Sequence, residues 1–154
     1  MGQNELPLAE QIDRDLQQAM RDKDDTAKIA LRSVKTALTE AAKASEDHTQ
    51  SEDDVLAVIQ KQAKQRRDAA AEFERVGAAD RAASERAELA VLERYLPRQL
   101  SEDEIESIVR EVIAETGASS MQDMGRVMST TMPKVQGKAD GKVVNQVVRR
   151  LLSQ

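Results

Sequence analysis

Three lysines at four-residue intervals, Lys134, Lys138 and Lys142, flank a glycine turn in the segment PKVQGKADGK. Ammonium groups clustered at a turn suit a polyanion better than a hydrophobic core. Asp140 stands where it can cap the following helix, whose first amides, with Lys138 and Lys142, would then form a small anion-binding corner. Asn145, in the first turns of that helix, has an amide able to reach a phosphate, a ribose or the preceding loop. Gly137 supplies a positive-φ turn, and Arg126 adds a cation on the preceding helix. Plain helix capping is the competing reading of the same cluster. Gly125, early in its helix, reads as a point of close helix–helix approach.

A second basic stretch, QKQAKQRRD, runs from Gln60 to Asp68. On a helix it places Gln60, Lys64 and Arg67 on one face and Lys61, Gln65 and Asp68 on another. Lys64 and Arg67 are therefore candidate phosphate contacts, although a solvated face balancing nearby acids is the preferred reading.

Other chemistries find little support. The chain has no cysteine, which excludes disulfides, thiolate metal sites and a cysteine nucleophile. Its single histidine, His48, lies in ASEDHTQSEDD, where a surface loop residue is expected rather than a zinc ligand or general base. Paired carboxylates, as in Glu85 with Glu88 and Glu102 with Asp103 and Glu104, read as surface charge, since no spacing isolates two of them in an apolar setting that could shift a pKa. GKADGK lacks both the spacing and the preceding strand of a nucleotide-binding phosphate loop. No catalytic residue, metal or cofactor is expected from these residues.

The candidate residues need a scaffold, and composition points to helices. Phe73 and Tyr95 are the sole aromatics, while 40% of the residues are hydrophobic. Leu, Ile, Val, Ala and Met must then build the core, which predicts an all-α fold. Spacing predicts a first helix from Leu8 with Ile12, Leu16, Ala19 and Met20 inward, and a second over about 25–44 carrying Ile29, Leu31, Val34, Leu38 and Ala41. A third opens on a capping box of Ser51 and Asp54, presents Val55, Ile59, Ala63, Ala70 and Phe73, and ends at Gly77. The fourth covers 79–96 with Ala83, Ala87, Val91, Leu92 and Tyr95 inward, and Pro97 closes it.

That proline sets the expected domain boundary: residues 1–97 form an N-terminal four-helix domain and residues 98–154 a small C-terminal three-helix domain. In the second domain, Ser101 and Glu104 cap a helix that Gly117 stops. Met121, Met124, Val127, Met128 and Met132 line a short helix that Pro133 terminates, and Val143, Val144, Val147, Val148, Leu151 and Leu152 stripe the last. A unit this small is expected to lean on the other.

Charge separates along the chain. From Gly117 to Gln154 there are six Lys+Arg against two Asp+Glu, and the remainder carries 17 against 26. An acidic protein of net charge -5 thus ends in a basic module. No apolar run approaches the roughly 20 residues of a membrane span. The opening MGQNELPLAEQ lacks the plan of a secretory signal, and Leu6 stands where a myristoylation site at Gly2 has Ser or Thr. A cytoplasmic protein is expected.

The stretches VIQKQAKQRRDAAAEFERVG, ELAVLERYLPRQLSEDEI and ETGASSMQDMGRVMSTTMPKVQGKADGKVVNQVVRRLL resemble the YqeY family of small bacterial proteins over nearly the whole chain. That family is similar to the tail domain of GatB, a subunit of the glutamine-dependent aminoacyl-tRNA amidotransferase. The resemblance implies an all-α fold in two parts and a link to tRNA, since the GatB tail contacts the body of the tRNA while chemistry occurs elsewhere. It matches Gly125, Val127, Met128, Lys134, Gly137, Lys138, Ala139, Val144 and Asn145 to the tail's signature. A carbon–nitrogen ligase label using glutamine as amide donor would be inherited through this shared domain, because the GatB catalytic core and the amidase subunit have no counterpart here. The expectation is a non-catalytic tRNA-binding or amidotransferase-associated protein, with an amidotransferase or synthetase subunit as a further candidate partner. A helical protein–protein adaptor without RNA contact is the alternative.

Overall fold

The computed structural model describes residues 6–154. Gly2 lies outside the described residues. Every regular element among the described residues is helical, and no helix among them is long and apolar enough to cross a membrane. The backbone divides between Leu96 and Pro97 into two compact units.

The first unit holds α1 (Leu8–Asp22), α2 (Asp25–Ala44), α3 (Glu52–Arg75) and α4 (Ala79–Glu93). Local chemistry sets most of their ends. Asp24 caps α2 by accepting from the Ala27 amide, and Ser51 and Asp54 close the reciprocal capping box of α3. Gly77, at φ +79°, turns the chain from α3 into α4. Their core joins Ile12, Leu16, Leu31, Val34, Ile59 and Leu92.

Four inward assignments fail in this unit. Met20 and Ile29 are exposed, at 50% and 57%, and on α4 it is Ala82 that is buried while Ala83 and Ala87 face solvent. In α2 the buried stripe is Ala27, Ala30, Leu31, Val34 and Leu38. Ile29 lies about 100° round the helix from Ala30, off that stripe. Alanine at the contact lets helix backbones approach closely, so small residues occupy places that hydrophobicity alone would give to Ile and Met. Helix α4 also stops at Glu93, ahead of the expected residue 96. The Tyr95 and Leu96 amides bond to Leu92 and Glu93 carbonyls, a tightened turn that leads into Pro97.

The second unit holds α5 (Glu102–Thr116), a 3₁₀ turn (Met121–Asp123), α6 (Met124–Val135) and α7 (Gly141–Leu152). Its core is Ile105, Val109, Val112, Val127, Val135, Val144, Val147 and Val148, rimmed by Met124, Met128 and Met132. Ser101 and Glu104 form the capping box of α5, and Gly117 ends it at φ +68°.

Three expectations are overturned here. Pro133 does not end α6, which continues to Val135. A proline beyond the first turn gives up the amide bond to the carbonyl four residues back, at a cost of about 3 kcal/mol in a helix interior, and fully burying Val135 returns about 1.5–3 kcal/mol. Gly125 is not a point of close approach, because a Cβ built there would meet nothing within 4 Å. Met121, counted inward from sequence, is 42% exposed because the chain there is a 3₁₀ turn and not the first turn of α6.

Candidate nucleic-acid interface

The candidate surface is built by the turn between α6 and α7 and by the outer face of α7. Gly137 adopts φ +78°, which places the Lys138 amide 2.8 Å from the Val135 carbonyl and closes the end of α6. The turn is pinned from its other side: Gln99 Nε2 donates to the Gly137 carbonyl at 3.1 Å, and the Leu100 amide to the Lys138 carbonyl at 2.7 Å. Asp140 then accepts from the Lys142 amide at 2.9 Å, starting α7 as the capping argument requires.

Helix α7 buries Val144, Val147, Val148, Leu151 and Leu152, so its remaining positions form a polar face. Lys142, Asn145, Gln146 and Arg149 share that face at three- and four-residue spacing. A depression of about 390 Å³ is lined by Gly141, Lys142, Asn145 and Gln146. Arg149 Nε donates to Asn145 Oδ1 at 2.9 Å. Since Nε can only donate, the amide is oriented by this bond, and Asn145 presents its Nδ2 donors outward from the pair. Arg149 keeps Nη1 and Nη2, and it makes no ion pair with a carboxylate among the described residues.

The sequence-derived candidates do not contribute alike. Lys142 and Asn145 are brought together on the α7 depression, and Lys138 stands exposed on the turn with no ion pair among the described residues. Lys134 is also exposed, but Glu115 of α5 holds its ammonium at 3.2 Å. Arg126 is held by Asp123 at 3.1 Å. The Asp123 carboxyl sits below the usual carboxylate range because the Ser119 and Ser120 amides bond to it, with the Arg126 guanidinium adding to the effect. Arg150 points to α5 as well, to Glu102 at 3.2 Å and Glu106 at 2.9 Å. The acidic α5 thus neutralises part of the basic module, and the three lysines are not equivalent.

Lys64 and Arg67 belong to α3 in the first unit. Lys64 is paired with Asp68 at 3.1 Å, one turn on and on the face that spacing had separated from it. Arg67 is half-buried. Between them Arg66 is buried at 8%, with Nη1 2.8 Å from Gln62 Oε1 and Nη2 3.9 Å from Glu88. The basic stretch of α3 is therefore partly internal. Among the described residues no three His, Asp or Glu side chains gather to hold a metal ion.

Arg149 was missed as a candidate although its signal was legible: it follows Asn145 by one helical turn and Lys142 by two. Among known families, a model described as Yqey-like protein matches residues 9–152. No curated protein matches the chain.

Proposed function

The chain belongs to the Yqey-like protein family, and we propose that it is a non-catalytic module that contacts the phosphate backbone of a folded RNA, tRNA in the first instance. The contact surface is the α6–α7 turn with the outer face of α7: Lys138, Lys142, Asn145 and Arg149. The observation that carries the reading is the Arg149–Asn145 bond, which engages the one acceptor atom of that side-chain pair and leaves the Nδ2 and Nη donors. A donor-rich face at a helix N-terminus suits phosphate oxygens. With two aromatics in the chain, stacking on unpaired bases contributes little, so shape and backbone would be read instead. Lys134 and Arg126 take part at a lower level, since exposed ion pairs worth about 0–1 kcal/mol can be exchanged for a phosphate.

Anisotropy titration of labelled tRNA with the full chain over a series of salt concentrations tests the proposal. A Lys138→Ala/Lys142→Ala/Arg149→Ala variant should bind roughly tenfold or more weakly and lose about two to three from the slope of log K against log salt. Lys134→Ala should stay near wild type. Equal affinity and equal slope for the triple variant and wild type would remove the proposal.

A further inference from the structure

A second concavity, of about 460 Å³, lies within the first unit between α1, the C-terminal half of α2 and the loop after it. Ala9, Ile12, Leu38 and Ala42 form its apolar floor, and Lys35, Lys43 and His48 stand at its rim. An apolar patch edged by polar and charged side chains, at this size, is the pattern of a site for a small amphipathic molecule.

The rim charge identifies the class of ligand. Asp13, the one acid lining this concavity, is bound by Lys35 at 2.8 Å. Lys43 is exposed and makes no ion pair among the described residues. His48 is held in the left-handed region at φ +54°, with its amide on the Ser45 carbonyl and its ring Nδ1 3.2 Å from the Ala42 carbonyl. A carbonyl can only accept, so Nδ1 donates here, and in the protonated ring Nε2–H is the second donor, the one left for an anionic ligand. A non-glycine residue at positive φ costs of order 1 kcal/mol and persists where its surroundings fix it.

The C-terminus of α2 would ordinarily repel an anion. Here the Ala42 carbonyl is covered by three donors: the Ser45 amide at 3.3 Å, Ser45 Oγ at 3.0 Å and His48 Nδ1 at 3.2 Å. A cationic rim is also unusual for its surroundings. Residues from Pro97 onward hold eight basic and eight acidic side chains, which leaves 15 and 20 of the chain's 23 and 28 to the first unit.

We propose that this cavity binds an aliphatic carboxylate, its chain on Ile12, Leu38 and the two alanines and its carboxylate between Lys43 and His48. The site lies on residues separate from the α7 surface, so it stands or falls independently of RNA binding.

The test is a titration of ¹⁵N-labelled full-length protein with octanoate below its micelle concentration, with octylamine and octanol as chain-matched probes. Octanoate should give saturable shifts confined to residues around the cavity, and octylamine should not bind there. Lys43→Gln/His48→Gln, at two exposed positions, should weaken octanoate about tenfold with the circular dichroism of the wild type retained, and Ala42→Leu should block the cavity. Non-saturating shifts, equal binding of octylamine, or a double variant that binds like wild type would each overturn the proposal. If Ala42→Leu misfolds by circular dichroism, the double variant alone decides.

Discussion

Replacing Arg66 separates a charge that belongs to the interior from charges that face solvent. Its guanidinium donates to the side chain and carbonyl of Gln62 at 2.8 and 3.3 Å and approaches Glu88 at 3.9 Å. Gln62 Oε1 also accepts from Ser33 Oγ at 2.9 Å, so the group ties α2, α3 and α4 together. Arg66→Ala removes the guanidinium and leaves Glu88 partly buried without its counter-charge. Breaking a buried pair from one side costs about 3–5 kcal/mol. The 3.9 Å separation and an arginine Nε that has no partner place this case near the low end, about 3 kcal/mol. Urea unfolding of the full chain measures it, with Arg67→Ala and Lys64→Ala as controls expected within about 1 kcal/mol of wild type. Arg66→Met with Glu88→Leu should recover most of the loss, because both charges then leave together. Burial raises the Glu88 carboxyl above its ordinary value, against the opposing pull of Arg66. A raised carboxylate penalises the folded state increasingly as pH rises from the unfolded value through the folded one, so the cost of Arg66→Ala should be least in acid and grow through that window. An Arg66→Ala cost below about 1 kcal/mol, equal to that of Arg67→Ala, would refute the reasoning.

Thr131 is fully buried with its hydroxyl unbonded, so the near-isosteric Thr131→Val should stabilise the protein by about 1 kcal/mol in thermal or urea melts; a loss of stability would reveal a hidden partner. Gly125→Ala should add up to about 1 kcal/mol, since the site is helical, open and free of positive φ; destabilisation in the same melts would show that the position is constrained. In acid, the second unit loses the support of carboxyls held below their ordinary range: Glu104 by Arg98 and the Ser101 amide, and Glu106 by Arg110 and Arg150. Depressed values give stability that is full above the unfolded pKa and lost as pH falls through the folded one. Arg98→Ala should therefore flatten the acid limb of a pH–stability curve, and an unchanged limb would count against that assignment.

Much of this architecture is written in short-range chemistry. The capping boxes at Ser51 and Ser101, the caps at Asp24 and Asp140, and the turns at Gly77, Gly117 and Gly137 all form as residue type and spacing require. Each involves neighbours within a few positions, where the backbone leaves few choices. The Lys142–Asn145 part of the candidate surface was legible for the same reason, being two residues one turn apart on one helix.

What the amino-acid order determined, then, is an all-helical chain, its caps and turns, and a basic C-terminal segment. The tertiary structure decided which apolar residues meet, burying Ala82 and Val135 while leaving Ile29 and Met20 in solvent. It also decided which cations stay available, giving Lys134 and Arg150 to the acids of α5 and drawing Arg66 inside, while Lys138 and Arg149 remain without carboxylate partners among the described residues. Helix periodicity is a property of one segment. Burial and charge pairing are settled between segments far apart in the chain, through the fit of their surfaces and the separation of their charges.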